Sequence, residues 1–241
     1  MGMSSAKPAP KSPKNQKCVV LISGGVTSLA LLDECTKKYG WIVPVYVQSG
    51  FRWEEAELFW LKKFLRYRKQ ENIEPLQFVY LPLKDVYLSH WSNTGLKTPS
   101  GKELYHSILL PERESLLLTR AALSAAAFEA QVMAAGYLKP RGSAERNAEL
   151  MRQVEELYEK TLARPVTLVA PFIDKTRDEI VYGMKEIGYD YSFSCLAPRG
   201  YQHCGDCYKC HERKISFFKT GITDRTHYFK PLTSLATASS V

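Results

Sequence analysis

Four cysteines near the C-terminal end constrain the fold of this chain more than any other feature. They are spaced C-x8-C-x2-C-x2-C, at Cys195, Cys204, Cys207 and Cys210. Two-residue gaps let neighbouring sulfurs point at one centre, and four thiolates suit a tetrahedral zinc ion. Two disulfides, or four reduced thiols without a metal, are the alternatives. No signal peptide precedes Met1, so we expect the reducing cytoplasm, which disfavours disulfides. Since four sulfurs leave zinc no open position, its expected role is structural.

The rest of the chain alternates short apolar runs with segments of helical spacing. The apolar runs predict strands over about 17–22, 41–47, 76–81, 131–135 and 166–169. Helical spacing predicts helices over about 27–39, 54–71, 115–130, 144–162 and 178–187. This alternation indicates an α/β fold with a doubly wound parallel sheet. Residues 83–109 show no pattern that assigns them to either class.

The net charge of +8 is unevenly distributed along the chain. Lys7, Lys11, Lys14 and Lys17 contribute four of these charges, which leaves about +4 for the folded body. An excess of this size does not favour nucleic acid as a partner, and it fits an enzyme that binds polyphosphate. A membrane partner is not expected, because no apolar run approaches the length of about eighteen residues that spans a bilayer.

Composition also divides the chain into four parts. We expect a disordered tail over 1–16, which is rich in Lys, Pro and Ser, and an α/β domain over 17–190. A zinc-binding segment over 191–230 and a flexible tail over 231–241 follow.

A glycine-rich loop connects the first predicted strand to the first predicted helix. It reads Ser23-Gly24-Gly25-Val26-Thr27-Ser28. In parallel α/β sheets, ligands bind where such a loop enters a helix. Glycines let the backbone approach a ligand, and the loop N–H groups, the hydroxyls and the helix N-terminus together suit an anion. The Gly-Lys-Ser/Thr ending of a Walker loop is absent. An ordinary turn with a hydroxyl cap is the alternative interpretation.

This loop resembles the SGGxDS loop of N-type ATP pyrophosphatases, with Thr27 in place of the usual aspartate. More narrowly, residues 17–222 are similar to the 7-cyano-7-deazaguanine synthase family, in which cysteines of this spacing bind zinc. Residues 110–114 resemble the family's Pro-x-Arg-Asn segment. Residues 171–180 resemble its PLxxxxKxEI segment, with Arg177 at the basic position.

The resemblance implies the adenine-nucleotide alpha hydrolase type of sheet and an ATP- and Mg²⁺-dependent enzyme. The implied reaction adenylates 7-carboxy-7-deazaguanine or a relative, and ammonia or another amine then gives an amide or a nitrile. It also implies that Arg113 and Arg177 act in catalysis by facing phosphate or the substrate carboxylate. The implied nucleotide-binding residues are Ser23, Gly24, Gly25, Val26, Thr27, Ser28, Val47, Gly50 and Arg52.

Three departures from the family pattern keep other functions open. Thr27 brings no charge to a metal, Glu114 replaces an asparagine, and the segment after Gly136 differs from the family's substrate-contacting stretch. One alternative is a different ATP pyrophosphatase such as a tRNA-thiolating enzyme, for which Cys18 and Cys35 are poor catalytic candidates. Another is a non-catalytic relative that binds a nucleotide, a deazaguanine or a protein partner. A homodimer is compatible with the sequence.

Several other polar residues have weaker claims to a function. His203 and His211 flank the cysteines, but four sulfurs already complete a tetrahedron, so we expect neither histidine to bind the metal. Glu57, Glu103 and Glu112 have the chemistry of general acids or bases, yet nothing in the sequence pairs them with a partner.

Overall fold

The computed structural model of this protein describes residues 12–139, 144–161 and 166–230. Residues 1–11 and 231–241, which belong to the two predicted tails, lie outside this described part. Within the first predicted tail, Pro13–Asn15 form a 3₁₀ turn, and the carbonyl oxygen of Gln16 accepts a 3.2 Å hydrogen bond from the N–H of Gly40. The division at residue 190 stays a prediction.

The centre of the fold is a five-stranded sheet in which all neighbouring strands are parallel. Its order is β3-β2-β1-β4-β5. The strands are β1 (Lys17–Leu21), β2 (Trp41–Gln48), β3 (Gln77–Tyr80), β4 (Val132–Ala134) and β5 (Thr167–Val169). The predicted strands and the predicted doubly wound parallel sheet are therefore confirmed.

Helices connect these strands and also follow the last of them. They are α1 (Val26–Lys38), α2 (Glu54–Tyr67), α3 (Lys84–Tyr87), α4 (Trp91–Thr94), α5 (Arg113–Ala127), α6 (Ala144–Thr161), α7 (Arg177–Gly183) and α8 (Tyr208–Thr220). Several predicted ends differ, including both ends of α5, which was predicted over 115–130 and spans Arg113–Ala127. α2 stops at Tyr67 rather than at residue 71, and the predicted helix over 178–187 is α7 followed by a 3₁₀ turn at Met184–Glu186. The short helices α3 and α4 and the helix α8 were not predicted.

Helices cover both faces of the sheet. Cys18 and Val20 of β1 pack toward α1, α2 and α7, whereas Val19 between them packs toward α5 and α6. Successive strand residues point to opposite faces, so a strand that is apolar on both sides needs a helical layer on each. This explains why the predicted strands are continuous apolar runs.

The loops after β1 and β4 meet at the carboxyl edge of the sheet. The chain runs outward from β1 through β2 to β3 and then returns to the other side of β1 with β4, so the strand order reverses there. Such a reversal opens a crevice in which parallel α/β sheets bind their ligands. α5 and α7 each follow a strand, so Arg113 and Arg177 at their N-termini lie at this edge.

The unassigned segment over 83–109 covers part of the cysteine segment. Two backbone hydrogen bonds join the two segments. Gly101 N–H donates to the carbonyl oxygen of Asp206 at 3.1 Å, and Tyr208 N–H donates to the carbonyl oxygen of Pro99 at 2.9 Å. In the described part of the chain, no helix is both long and apolar enough to cross a membrane.

Candidate nucleotide site and metal centre

The glycine-rich loop adopts a conformation that only glycine accommodates easily. Gly24 has φ of +84°, and a Cβ at this position would lie 3.4 Å from Cγ of Glu57. Gly25 is the N-cap of α1 and has no side chain that could satisfy the first N–H groups of the helix. These N–H groups and the positive end of the helix dipole are suited to an anion such as phosphate.

The two serines of the loop bond to each other and to the loop backbone. Ser28 Oγ donates to the carbonyl oxygen of Gly25 at 2.9 Å and accepts from the N–H of Ser23 at 3.2 Å, and the two hydroxyl oxygens are 3.4 Å apart. Ser28 is buried. The Ser28 side chain therefore stabilises the conformation of the loop.

Thr27 lies at the boundary between the loops after β1 and β4. Its Cγ2 is 3.3 Å from where a Cβ on Gly136 would stand. Gly136 therefore packs closely against Thr27 at the point where the strand order reverses, and a side chain at position 136 would crowd the threonine methyl group. Residues 140–143, part of the stretch that departs from the family pattern, lie outside the described residues.

A buried carboxylate fixes the loop after β2. Glu54 accepts hydrogen bonds from the N–H groups of Ser49 at 2.8 Å and Gly50 at 2.9 Å. Gly50 has φ of +87°, and its Cβ position would be 3.1 Å from Cε of Lys84. Val47 is buried inside β2, and the guanidinium of Arg52 lies over Gly95 at the end of α4. The loop after β2 is therefore held by hydrogen bonds and close packing where the resemblance implies nucleotide contacts.

Glu57 contacts the glycine-rich loop and has an unusual environment for a carboxyl group. Tyr46 of β2 donates a 2.6 Å hydrogen bond to Oε2 of Glu57. Burial raises the pKa of Glu57, the Tyr46 hydrogen bond and the charge of Arg113 lower it, and the charge of Glu54 raises it, with a net pKa of about 8. The two other acidic candidates lie in exposed turns: Glu103 accepts from the N–H of Ser100, and Glu112 adopts φ of +58° before α5.

Arg113 presents an incompletely bonded cation at the start of α5. Its Nε is buried and has no hydrogen-bond partner among the described residues. The guanidinium carbon lies 5.5 Å from the centre of the Phe51 ring. Its charge also acts on Tyr137, whose pKa is raised first by burial and then by Glu114, and is lowered by Arg113. A cation held in this way is available to an anionic ligand.

Arg177 is the first residue of α7, and its side chain is already engaged. Thr176 and Glu179 form a capping box at this helix start, with Thr176 Oγ1 accepting from Glu179 N–H at 3.3 Å. The guanidinium of Arg177 forms a 3.2 Å ion pair with buried Glu212 of α8. Arg177 therefore links the sheet to the cysteine segment.

The four cysteines converge as their spacing predicts. All four sulfurs lie within 4.8 Å of one another, with 3.9 Å between those of Cys195 and Cys207 and 3.9 Å between those of Cys204 and Cys210. A tetrahedral zinc site with bonds of about 2.3 Å places its sulfurs about 3.8 Å apart. Within the described ranges this is the one group of histidine, cysteine and carboxylate side chains that could hold a metal ion.

Backbone N–H groups surround these sulfurs. Cys195 Sγ accepts from Ala197 at 3.3 Å and from Cys204 at 3.2 Å, and Cys204 Sγ accepts from Asp206 at 3.4 Å and Cys207 at 3.3 Å. Such bonds favour thiolates, which are the form that binds metal. The donor set and its geometry therefore fit a four-coordinate metal.

The histidine beside the cysteines has a structural role. His203 is buried, and its Nε2 accepts a 3.3 Å hydrogen bond from the N–H of Ser194. Burial lowers the pKa of His203 to about 3, so the ring is neutral. Among the described residues, the group that could hold a metal consists of the four cysteines and includes neither His203 nor His211.

Three side-chain interactions in this region were not predicted from the sequence. The pairing of Tyr46 with Glu57 and the ion pair of Arg177 with Glu212 join separate elements, and no local pattern predicts them. The capping box of α7 was readable, since Thr-x-x-Glu precedes an apolar stretch.

Comparison with known proteins identifies relatives over most of the chain. Residues 17–221 match the family described as "Queuosine biosynthesis protein QueC". Proteins named 7-cyano-7-deazaguanine synthase are similar to it in Pyrococcus horikoshii (26% identity, 87% of this chain and 96% of the relative), in Methanocaldococcus jannaschii (26%, 89% and 100%) and in Rickettsia felis (24%, 88% and 99%).

Two solved structures are similar at lower identity. One is the tRNA thiolase NcsA from Methanococcus maripaludis with its [4Fe-4S] cluster (14% identity, TM-score 0.47, 87% of this chain and 67% of that chain). The other is a 4-thiouridine synthetase–RNA complex with bound ATP (18%, 0.42, 86% and 50%).

Proposed function

The chain belongs to the QueC family of queuosine biosynthesis proteins, and from this premise we propose that it is an ATP-dependent ligase acting on a 7-deazaguanine carboxylate. The substrate carboxylate attacks the α-phosphorus of ATP, and pyrophosphate leaves with the electron pair of the broken P–O bond. Ammonia or another amine then displaces AMP and leaves an amide. For a nitrile, the amide oxygen attacks the α-phosphorus of a second ATP, and pyrophosphate leaves again. The nitrogen then loses its two protons, and AMP departs with the electron pair of the broken C–O bond.

The chain supplies groups for the charges that develop in these steps. The N–H groups at the start of α1 would bind phosphate oxygens, with the loop held open by Gly24. Arg113 would bind the α-phosphate or the substrate carboxylate, because a guanidinium matches a pair of anionic oxygens. Arg177 would face the same crevice from α7 while paired to Glu212. Mg²⁺, when bound, would neutralise pyrophosphate as it leaves.

The observation that carries this proposal is the pairing of an uncapped helix start with an incompletely bonded arginine at the same edge of the sheet. The glycine-rich loop from Ser23 to Ser28, which we call the phosphate loop, follows β1, and Arg113 begins the helix that leads to β4. Both therefore border the crevice where the strand order reverses. The unpartnered Nε of Arg113 is costly to bury unless a ligand satisfies it.

We also propose that the cysteine cluster holds a structural zinc. Four buried sulfurs at tetrahedral spacing leave no position for a substrate. The tRNA-thiolating alternative is disfavoured, since Cys18 of β1 and Cys35 of α1 are buried in the core between the sheet and α1. A repurposed relative that binds deazaguanine or a protein without turnover stays the second candidate, because Thr27 carries no charge.

The test is purified protein incubated with ATP, Mg²⁺, 7-carboxy-7-deazaguanine and ammonium, with AMP, pyrophosphate and product mass recorded. We expect AMP and pyrophosphate that depend on the deazaguanine, together with an amide or nitrile. Arg113→Lys should lower the rate by about 10²-fold, because a lysine cannot offer paired donors, whereas exposed Arg66→Lys should not change it. Binding of deazaguanine without any AMP would instead support the repurposed relative.

A further inference from the structure

Glu57 lies against the phosphate loop and has one carboxyl oxygen to spare. Its Cγ would be 3.4 Å from a Cβ on Gly24, so the side chain is in direct contact with the loop backbone. Tyr46 holds Oε2 by a 2.6 Å hydrogen bond. Among the described residues, Tyr46 is the one hydrogen-bond partner of this carboxyl group, so Oε1 is left for a ligand.

The charged groups around Glu57 come from three elements. Tyr46 reaches it from β2, Glu54 from the start of its own helix α2, and Arg113 from α5. The loop at Gly24 adds no titratable group. Tyr46 stays a donor, because burial and the charge of Glu57 raise its pKa far above the usual range. Glu54 uses both oxygens on the N–H groups of the loop after β2. Glu57, in contrast, is held by Tyr46 through one oxygen, and its other oxygen can still accept a hydrogen bond.

The position of Glu57 matches the point where a proton must be removed. It contacts the loop at Gly24 and lies within electrostatic reach of Arg113, and these are the two groups proposed to hold the adenylated substrate. A nitrogen that attacks the acyl carbon becomes positively charged and must lose a proton to a nearby base. A carboxyl group with a pKa of about 8 both accepts and releases a proton near neutral pH.

We propose that Glu57 is the general base of the amide-forming step and that Tyr46 is the residue that positions it. This assignment rests on the proposed function. The attacking nitrogen forms a bond to the acyl carbon, and the bond from that carbon to the AMP oxygen breaks. The electron pair leaves with AMP, and one proton passes from nitrogen to the Glu57 carboxylate. The products are the amide, AMP and protonated Glu57.

A purely structural role makes a different prediction from a base. If the hydrogen bond only fixes α2 on β2, its loss disturbs the loop and weakens every partial reaction alike. A base acts after adenylation, so its loss spares the first reaction and impairs the second. Two assays separate these steps: exchange of labelled pyrophosphate into ATP with the carboxylate but no ammonium, and amide formation with ammonium.

The variants are Glu57→Gln, Tyr46→Phe and, as a matched control, Glu55→Gln. Glu55 is exposed on the same helix and bonds to Tyr201 on the surface. We expect Glu57→Gln to keep exchange within about threefold of wild type and to lose about 10²-fold or more in amide formation. Glu55→Gln should match wild type in both. Equal losses in the two assays for Glu57→Gln, or wild-type amide formation, would overturn the assignment.

The pH dependence gives a second readout, measured at a constant concentration of free ammonia. Amide formation by wild type should rise as pH passes about 8, because the base must be deprotonated, and this rise should be absent in Glu57→Gln. Tyr46→Phe should move the rise to higher pH, since the tyrosine hydrogen bond lowers the pKa of Glu57. An unmoved midpoint would contradict the role of Tyr46.

The exchange assay separates failure of the proposed function from failure of this assignment. If wild type shows no carboxylate-dependent exchange, both the proposed function and the assignment of Glu57 are wrong. Normal exchange with an unimpaired Glu57→Gln overturns the assignment alone.

Discussion

The backbone N–H of Phe193 donates a 2.9 Å hydrogen bond to the carbonyl oxygen of Gly24. This bond joins the segment that ends in the four cysteines to the loop proposed to bind phosphate. Phe193 is fully buried and packs with the cysteine cluster, two residues before Cys195. The conformation of the phosphate loop is therefore coupled to the folding of the metal segment.

Removal of the metal should therefore weaken nucleotide binding. Cys207→Ser should reduce bound zinc from about one ion per chain to a trace, since three sulfurs cannot complete the site. Loss of the Phe193 bond should cost about 1 kcal/mol, or about fivefold in ATP affinity. Metal analysis and calorimetric titration measure the two effects. Cys35→Ala, which removes a buried thiol elsewhere, should keep the metal, and unchanged ATP affinity in metal-free protein would refute the coupling.

Thr27→Asp should change how the enzyme depends on Mg²⁺. Thr27 lies in the first turn of α1, and a carboxylate at this position attracts the cation that accompanies the phosphates. We expect half-maximal AMP formation at about tenfold lower Mg²⁺. Thr27→Asn has the same shape without the charge and should behave as wild type. Activity that exists only in Thr27→Asp would instead indicate that the native site has lost turnover.

Glu54→Gln should destabilise the loop after β2. A glutamine has a single acceptor oxygen, so one of the two N–H groups that Glu54 binds is left buried without a partner. The expected cost is about 1–3 kcal/mol, and each kcal/mol lowers the melting temperature by about 2–4 °C. Thermal unfolding measures it. The adjacent and exposed Glu55→Gln is the control, and equal melting temperatures for the two variants would contradict the prediction.

Stability should fall as pH rises through about 8, and Glu57 should account for part of this fall. Its folded pKa of about 8 lies above the ordinary value of 4.5, so between these limits the folded state binds more protons than the unfolded state. The contribution is complete below pH 4.5 and is lost as pH passes 8. Glu57→Gln removes it, so its melting temperature should drop less than that of wild type between pH 6 and pH 9. An identical drop would show that Glu57 does not titrate in this range.

The strands were predictable because burial on both faces requires consecutive apolar residues, and such a run is visible in the local sequence. Cys18, Val19 and Val20 are all apolar since each faces a helical layer. The cysteines were equally readable, as a shared centre requires a fixed spacing. α8 was missed because residues 191–230 were assigned as a zinc-binding segment without any helix. Cys207 is its N-cap and Cys210 lies in its first turn, so the helix helps to place two of the four clustered sulfurs.

The chemistry of the crevice was less predictable because it depends on contacts between distant elements. The sequence places Glu57 on a helix, but only the packing of α2 over β2 brings it to Tyr46 and gives it an unusual pKa. Similarly, Arg177 was expected to face phosphate, and nothing local indicates that Glu212 of α8 pairs with it. The binding and catalytic roles of both arginines stay predictions.

The order of the strands has a consequence for how the polypeptide folds during synthesis. β1, β2 and β3 are complete once residue 80 has been made, and they can pair at once. β1, however, lies in the middle of the finished sheet, and its second neighbour β4 begins only at Val132. Until then the nascent chain carries an apolar strand with one open edge, which invites pairing with other chains. Early docking of α5, whose alanine-rich face packs on β1 and β2, would shield this region while the last strands emerge.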